Sequence, residues 1–260
     1  MHLSNSIKRI STLRCIIAFT MKRTLLIVAI GVLAGVVIFG FIYLRNTHNS
    51  FRSIRVVQWI RNPEQHTDWS IPAGTRCGDA PFIIPTGGYI GFLWDDSFRP
   101  GHRHAGIDIF SGEEPGKTPI YTAYDGYLTR LSDWKSSIIV RIPDDPLQPG
   151  RQIWIYYTHM ADEQGNSFIV ADFPPGSHEV FVPAGTLLGY QGNYSGNAGN
   201  PTGIHLHFSI VLDDGKGGFK NELDIHNTLD PSPYLGLSLN AHQNRNEIPH
   251  CPGNQANNQF

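Results

Sequence analysis

The stretch NPTGIHLHFSIVL (200–212) opens an apolar run with two histidines one residue apart, His205 and His207. Imidazoles are costly where a strand should bury leucine and valine unless they are given partners. In a strand, residues two apart face the same side, so the pair points one way with Cα atoms ~7 Å apart. One imidazole could hold a metal while the other stands near its open coordination position. A second signal lies upstream in GHRHAGIDIF (101–110), where His104 and Asp108 are four residues apart. Gly106 and the β-branched Ile107 and Ile109 argue against a helix there. On a straight strand the two side chains would stand ~13 Å apart, too far to share one ion. A bend at Ala105-Gly106 would bring them together, and glycine is the residue to supply it. A third histidine, His159, ends the apolar run IYYTHM (155–160).

Together these residues make a coherent chemistry. Two histidines and an aspartate give three nitrogen and oxygen ligands, and a catalytic zinc takes three protein ligands plus a water. The two remaining histidines then have work to do. Hydrolysis at zinc needs one group to move a proton and another to steady an oxyanion. Other candidates are weaker. The aspartate pairs 95–96, 144–145 and 213–214 sit in turn contexts and are expected to be solvated. The glycine run 189–203 contains neither a phosphate-loop nor a dinucleotide fingerprint. His102 has no aspartate four residues on, and Cys15, Cys77 and Cys251 form no CxxC pair.

The elements that must carry these residues are short and β-like. YIGFLW (89–94), GIDIF (106–110), PIYTAY (119–124), GYLTRL (126–131), SIIVRI (137–142), RQIWIYYTH (151–159), HEVFVP (178–183) and IHLHFSIVL (204–212) lie between turn signals. The linker PDDPLQPG predicts a hairpin between SIIVRI and RQIWIYY. With 27 glycines, 18 prolines and 16% charged residues, the 260-residue chain reads as a turn-rich, antiparallel all-β domain. No helix of ten residues is expected outside one apolar stretch. A net charge of -2 without basic runs excludes nucleic acid as the main partner.

That apolar stretch, TLLIVAIGVLAGVVIFGFIYL (24–44), carries no charge over 21 residues. As a helix it would be ~31 Å long, enough for one transmembrane pass. It is longer than a signal-peptide core and ends in Phe41-Ile42-Tyr43-Leu44-Arg45, a poor cleavage site. Basic residues ahead of it favour a cytoplasmic N-terminus over 1–23, with Met21 an alternative start. Gly31 and Gly35 form a GxxxG that could pair two copies through the membrane. Residues 45–70 read as a stalk, 71–237 as the outer domain and 238–260 as a disordered tail. The domain is thus expected outside the cytoplasm, anchored to the cell membrane. There Cys77 and Cys251 could form a disulfide, tying the tail to the start of the domain.

In their order, HAGIDI, YTHM and GIHLHFSI resemble the motifs of the lysostaphin-type (LytM-like) zinc metallopeptidases that cut peptidoglycan peptides. TPIYTAYDGYLTRL, VPAGTLLGYQGNYSGNAGNPTG and DPSPYL are similar to the segments that surround those motifs, so the resemblance covers about residues 82–236. It implies that His104, Asp108 and His207 ligate Zn2+ and that His159 and His205 are the catalytic pair. It also implies an antiparallel sheet with an open groove, and attack of a zinc-bound water on a peptide bond of peptidoglycan. The loops around 143–150 and 172–175 are longer than the family's minimal form, so substrate preference does not carry over. The alternative is a non-catalytic relative that binds peptidoglycan or activates a hydrolase. Relatives of that kind typically lack a ligand, and this chain lacks none.

Overall fold

The computed structural model describes residues 27–40, 51–97, 101–244 and 246–251. Residues 1–48 and 49–260 form two compact units. In the first, residues 27–40 are helical (α1) with exposed side chains. Among the described residues no helix is long and apolar enough to cross a membrane. The expected span 24–44 and the segment 1–23 lie partly or wholly outside them.

The second unit opens with a helix over 51–61 (α2) and a 3-10 segment, Pro63–Trp69. Eleven strands follow among the described residues: β1 (Ser70–Ile71), β2 (Gly88–Phe92), β3 (Ile107–Phe110), β4 (Pro119–Tyr121), β5 (Gly126–Thr129), β6 (Ile138–Ile142), β7 (Ile153–Thr158), β8 (Val180–Val182), β9 (Leu187–Tyr190), β10 (Leu206–Leu212) and β11 (Thr228–Leu229). A short helix, Ser232–Leu235 (α3), comes last. The main sheet runs β1-β2-β3-β10-β7-β6-β5-β8 with β11 on β10, and β4-β9 form a second, two-stranded sheet. Every named strand pair is antiparallel, and the expected β6–β7 hairpin is present. The all-β reading holds for the domain.

Alternation explains which face of the sheet is core. On β10, Leu206, Phe208 and Ile210 join Ile107 and Ile109 of β3 and Ile153, Ile155 and Tyr157 of β7 in the main hydrophobic cluster. The intervening His207 and Ser209 therefore point to the opposite face. At that face Asp108 of β3 stands in register with His207, and Thr158 of β7 flanks it on the other side.

Three expectations need correction. The stalk is part of the domain from residue 51: Arg52, Val56 and Trp59 are buried, one helical face at i, i+4 and i+7. The segment 238–251 is packed and not a loose tail. Leu239 is fully buried, its carbonyl accepts the Trp94 N–H, and the Ala241 N–H donates to the Trp94 carbonyl. Arg52 Nη2 donates to the Asn244 carbonyl at 3.0 Å, and Cys251 is disulfide-bonded to Cys77, with Cα atoms 4.9 Å apart. Residues 252–260 lie outside the described ones. The aspartate pairs are not uniformly solvated either. Asp145 is fully buried, bonded to Arg151 at 2.8 Å and to the Tyr234 hydroxyl at 2.8 Å, and Asp95 is buried against Arg103 and His242. A buried carboxylate is tolerated when charged and polar partners compensate its lost water.

Candidate metal centre

The chain bends at Ala105-Gly106 just before β3, which folds His104 back over Asp108. His104 Nε2 lies 3.1 Å from Asp108 Oδ1 and 3.0 Å from His207 Nδ1, and His207 Nδ1 lies 2.9 Å from the same carboxylate oxygen. Gly106 makes this approach possible for a second reason. A Cβ there would sit 2.3 Å from the Phe208 carbonyl oxygen and 2.9 Å from His207 Nε2, closer than atoms pack. The expected bend is therefore present, and the same glycine also clears room for the His207 imidazole.

The donor set suits a metal. His104 Nδ1 faces the Leu93 carbonyl at 3.0 Å, so its proton belongs there and Nε2 presents a lone pair. Two imidazole nitrogens and a carboxylate oxygen then converge at 2.9–3.1 Å. Lone pairs this close repel unless a proton or cation lies among them. Bonds of about 2.0–2.1 Å in a tetrahedron place ligand atoms about 3.3 Å apart, close to the triangle seen here. These three residues form the group with metal-ligand geometry among the described residues.

His159 and His205 stand beside that triangle. His159 follows directly on β7 with a positive φ of 73°, which turns the chain and swings the ring toward the site. Its ring centroid is 4.5 Å from that of His205 and 6.3 Å from that of His207. His159 Nδ1 is 2.7 Å from the Tyr194 carbonyl and His205 Nδ1 is 2.7 Å from the Gly203 carbonyl. Both Nδ1 atoms are thereby assigned as donors, and both Nε2 atoms are free to face a reacting group. His205 Nε2 is 3.6 Å from Asp108 Oδ1, at the edge of the ligand triangle.

Electrostatics follow from burial and from one carboxylate. Burial pushes the Asp108 carboxyl up, but the charges of His104 and His205 and hydrogen bonds from His104 and His207 outweigh it and hold it well below the usual range. Burial lowers His205 to about 4, and lowers His159 and His207 as well. Burial also lowers His104, but the facing Asp108 charge and hydrogen bond turn the net shift upward. The downward shifts of Asp108 and His207 favour the deprotonated forms a metal ligand needs, while His104, shifted upward by Asp108, would give up its Nε2 proton when a metal binds.

All five residues singled out in the sequence come together. What pattern reading missed is their support: the carbonyls of Leu93, Tyr194 and Gly203, and Phe110, whose ring lies against His205 with centroids 5.0 Å apart. Backbone carbonyls leave no residue-type signal. Phe110 reads simply as a strand hydrophobe.

No family model and no curated protein matches the chain. Solved structures do resemble it. The catalytic domain of lysostaphin from Staphylococcus simulans is 20% identical with a TM-score of 0.36, over 57% of this chain and 90% of that one. A second structure of lysostaphin from the same organism is 18% identical with a TM-score of 0.36, over 64% of this chain and 55% of that one. The catalytic domain of a prophage-encoded M23 protein from Enterococcus faecalis is 20% identical with a TM-score of 0.34, over 57% of this chain and 95% of that one. The chain is thus similar to lysostaphin and M23 structures. At such distances, the functional reading rests on the site itself.

Proposed function

We propose that the protein is a membrane-anchored zinc metalloendopeptidase that hydrolyses peptide bonds in bacterial cell-wall peptidoglycan. The observation that carries the reading is the convergence of His104, Asp108 and His207 at metal-ligand spacing, with two further histidines beside them. A zinc ion bound there would supply Lewis acidity, lowering the pKa of a water and polarising the scissile carbonyl. His104 Nε2, Asp108 Oδ1 and His207 Nδ1 would hold it. His159 and His205 do the remaining work through Nε2. One, as a neutral imidazole, receives the proton from the attacking water. The other donates to the tetrahedral oxyanion after taking up a proton from solvent on Nε2 to become the imidazolium. Burial favours the neutral form of both, which suits the first role, and the Tyr194 and Gly203 carbonyls hold the Nδ1 proton so that Nε2 is the atom that gains or accepts a proton.

Peptidoglycan as substrate is supported by the order of the motifs HAGIDI, YTHM and GIHLHFSI. Anchoring is supported by the uncharged stretch 24–44. A position outside the cytoplasm is supported by the Cys77–Cys251 bond, since disulfides persist in oxidising compartments. The test is incubation of the purified full chain with crosslinked peptidoglycan, followed by mass spectrometry of released fragments. Loss of peptide linkages that a chelator prevents and added zinc restores is the expected result. Intact linkages with tight sedimentation would replace the enzyme with a binding protein.

A further inference from the structure

His205 is held at one ring atom and flanked by two other rings. Its Nδ1 bond to the Gly203 carbonyl, 2.7 Å, sets the axis along which Nε2 points but leaves the ring able to rock about that bond. Phe110 lies along its ring, with centroids 5.0 Å apart and planes 28° from parallel, and His159 stands against it at 4.5 Å and 50°. Phe110 is two residues beyond Asp108 on β3, so the strand presents both to the same face.

Phe110 is itself braced from behind. Trp59 of α2 donates its indole N–H to the Phe110 carbonyl at 2.7 Å. Val56, Trp59, Tyr89 and Phe110 form a buried cluster separate from the main core, and Phe92 meets the Phe110 ring edge-on at 5.9 Å and 70°. Gly91 lets the helix come this close. A Cβ there would lie 2.4 Å from Val56 Cγ2 and 3.0 Å from the Phe110 ring.

We infer that Phe110 is a positioning residue for His205, and that α2 is the brace that keeps Phe110 in place through Trp59. The inference rests on the proposed working role of His205 and extends it. The segment that enters the domain from the N-terminal side is part of the site's alignment. The ring contact of Phe110 at the site is with His205, which is not one of the proposed ligands, so its loss should change turnover and leave metal content alone.

The test uses the full chain as parent, Phe110→Leu, Phe110→Tyr and Trp59→Phe. Three quantities are read: bound zinc, the initial rate of fragment release at limiting and saturating peptidoglycan, and the His205 ring C–H resonances in histidine-labelled protein, assigned with His205→Gln. Phe110→Leu should keep parental zinc and a half-saturating substrate level within about twofold, while the saturating rate falls about 10–100-fold. Its His205 resonances should lose the upfield shift that a stacked ring imposes. Phe110→Tyr should restore rate and shift together, and Trp59→Phe should show a smaller loss of both. Parental rate with unchanged resonances in Phe110→Leu overturns the inference, as does a rate loss that merely tracks lost zinc. Should Phe110→Leu not fold, parental values of both quantities in Trp59→Phe overturn it. A parent that releases no fragments refutes the hydrolase reading, and the resonances then decide the stacking on their own.

Discussion

His104, Asp108 and His207 are located by strand register and one bend, whereas His159 and His205 are located by carbonyls of the loop between β9 and β10. The first group sits where β3 and β10 pair in line, Asp108 opposite His207, with isoleucines and a phenylalanine locking the other face of the same strands. To move a ligand atom, the sheet must slip by a residue, which would turn the whole core outward. The second group depends on Tyr194 and Gly203, in a stretch with no strand of its own. Binding a metal tolerates little change in ligand spacing, so rigid pairing suits it. If His159 and His205 move a proton as proposed, they must meet a substrate that comes and goes, and a loop permits that adjustment.

Breaking the register-held group should have the largest effect. His207→Ala should lose bound zinc and all measurable hydrolysis, whereas His205→Ala should keep zinc and lose turnover; metal analysis of both purified variants checks this. If His205→Ala lost the metal and His207→Ala kept it, the ligand assignment would be reversed. Next comes the loop-held group. His159→Ala should lower turnover by about 10²–10⁴ with zinc retained, the scale of a lost acid–base or oxyanion group. A rate within a few-fold of the parent would remove His159 from the site. The smallest effect should come from Gly106→Ala. The added methyl meets the Phe208 carbonyl and His207, so β3 and β10 must part, at about 1–3 kcal/mol of stability by denaturant unfolding. Zinc affinity should weaken in the same variant. Unchanged stability and affinity would mean that register does not hold the ligands as described.

Much of this site is legible in the amino-acid sequence. His104 and Asp108 can share an ion only if the chain bends, and Gly106 stands where the bend has to be. Alternation places Leu206 and Phe208 inward and leaves His205 and His207 for the other side. The expectation of no ten-residue helix outside 24–44 fails at 51–61, and its period is hidden because Phe51, Ile54, Val57 and Ile60 are exposed while Arg52, Val56 and Trp59 are buried. Apolar residues on both sides of a helix blur the period that would reveal it. The segment 238–251 escapes for a different reason. It is held by backbone pairing with Trp94, by Arg52 and by one disulfide, none of which needs a repeating pattern. The burial of Asp95 and Asp145 is hidden in a like way, since Arg103 and Arg151 become their neighbours only after folding.

The Cys77–Cys251 bond joins residues 174 apart in sequence, and His104, Asp108, His159, His205 and His207 all fall between them. The site therefore lies inside a closed covalent ring. A single protease cut in a surface loop such as 143–150 would open the ring without dividing the molecule. The two pieces would separate only when the disulfide was also reduced. One nick would thus leave both halves of the site on one molecule, able to stay folded together.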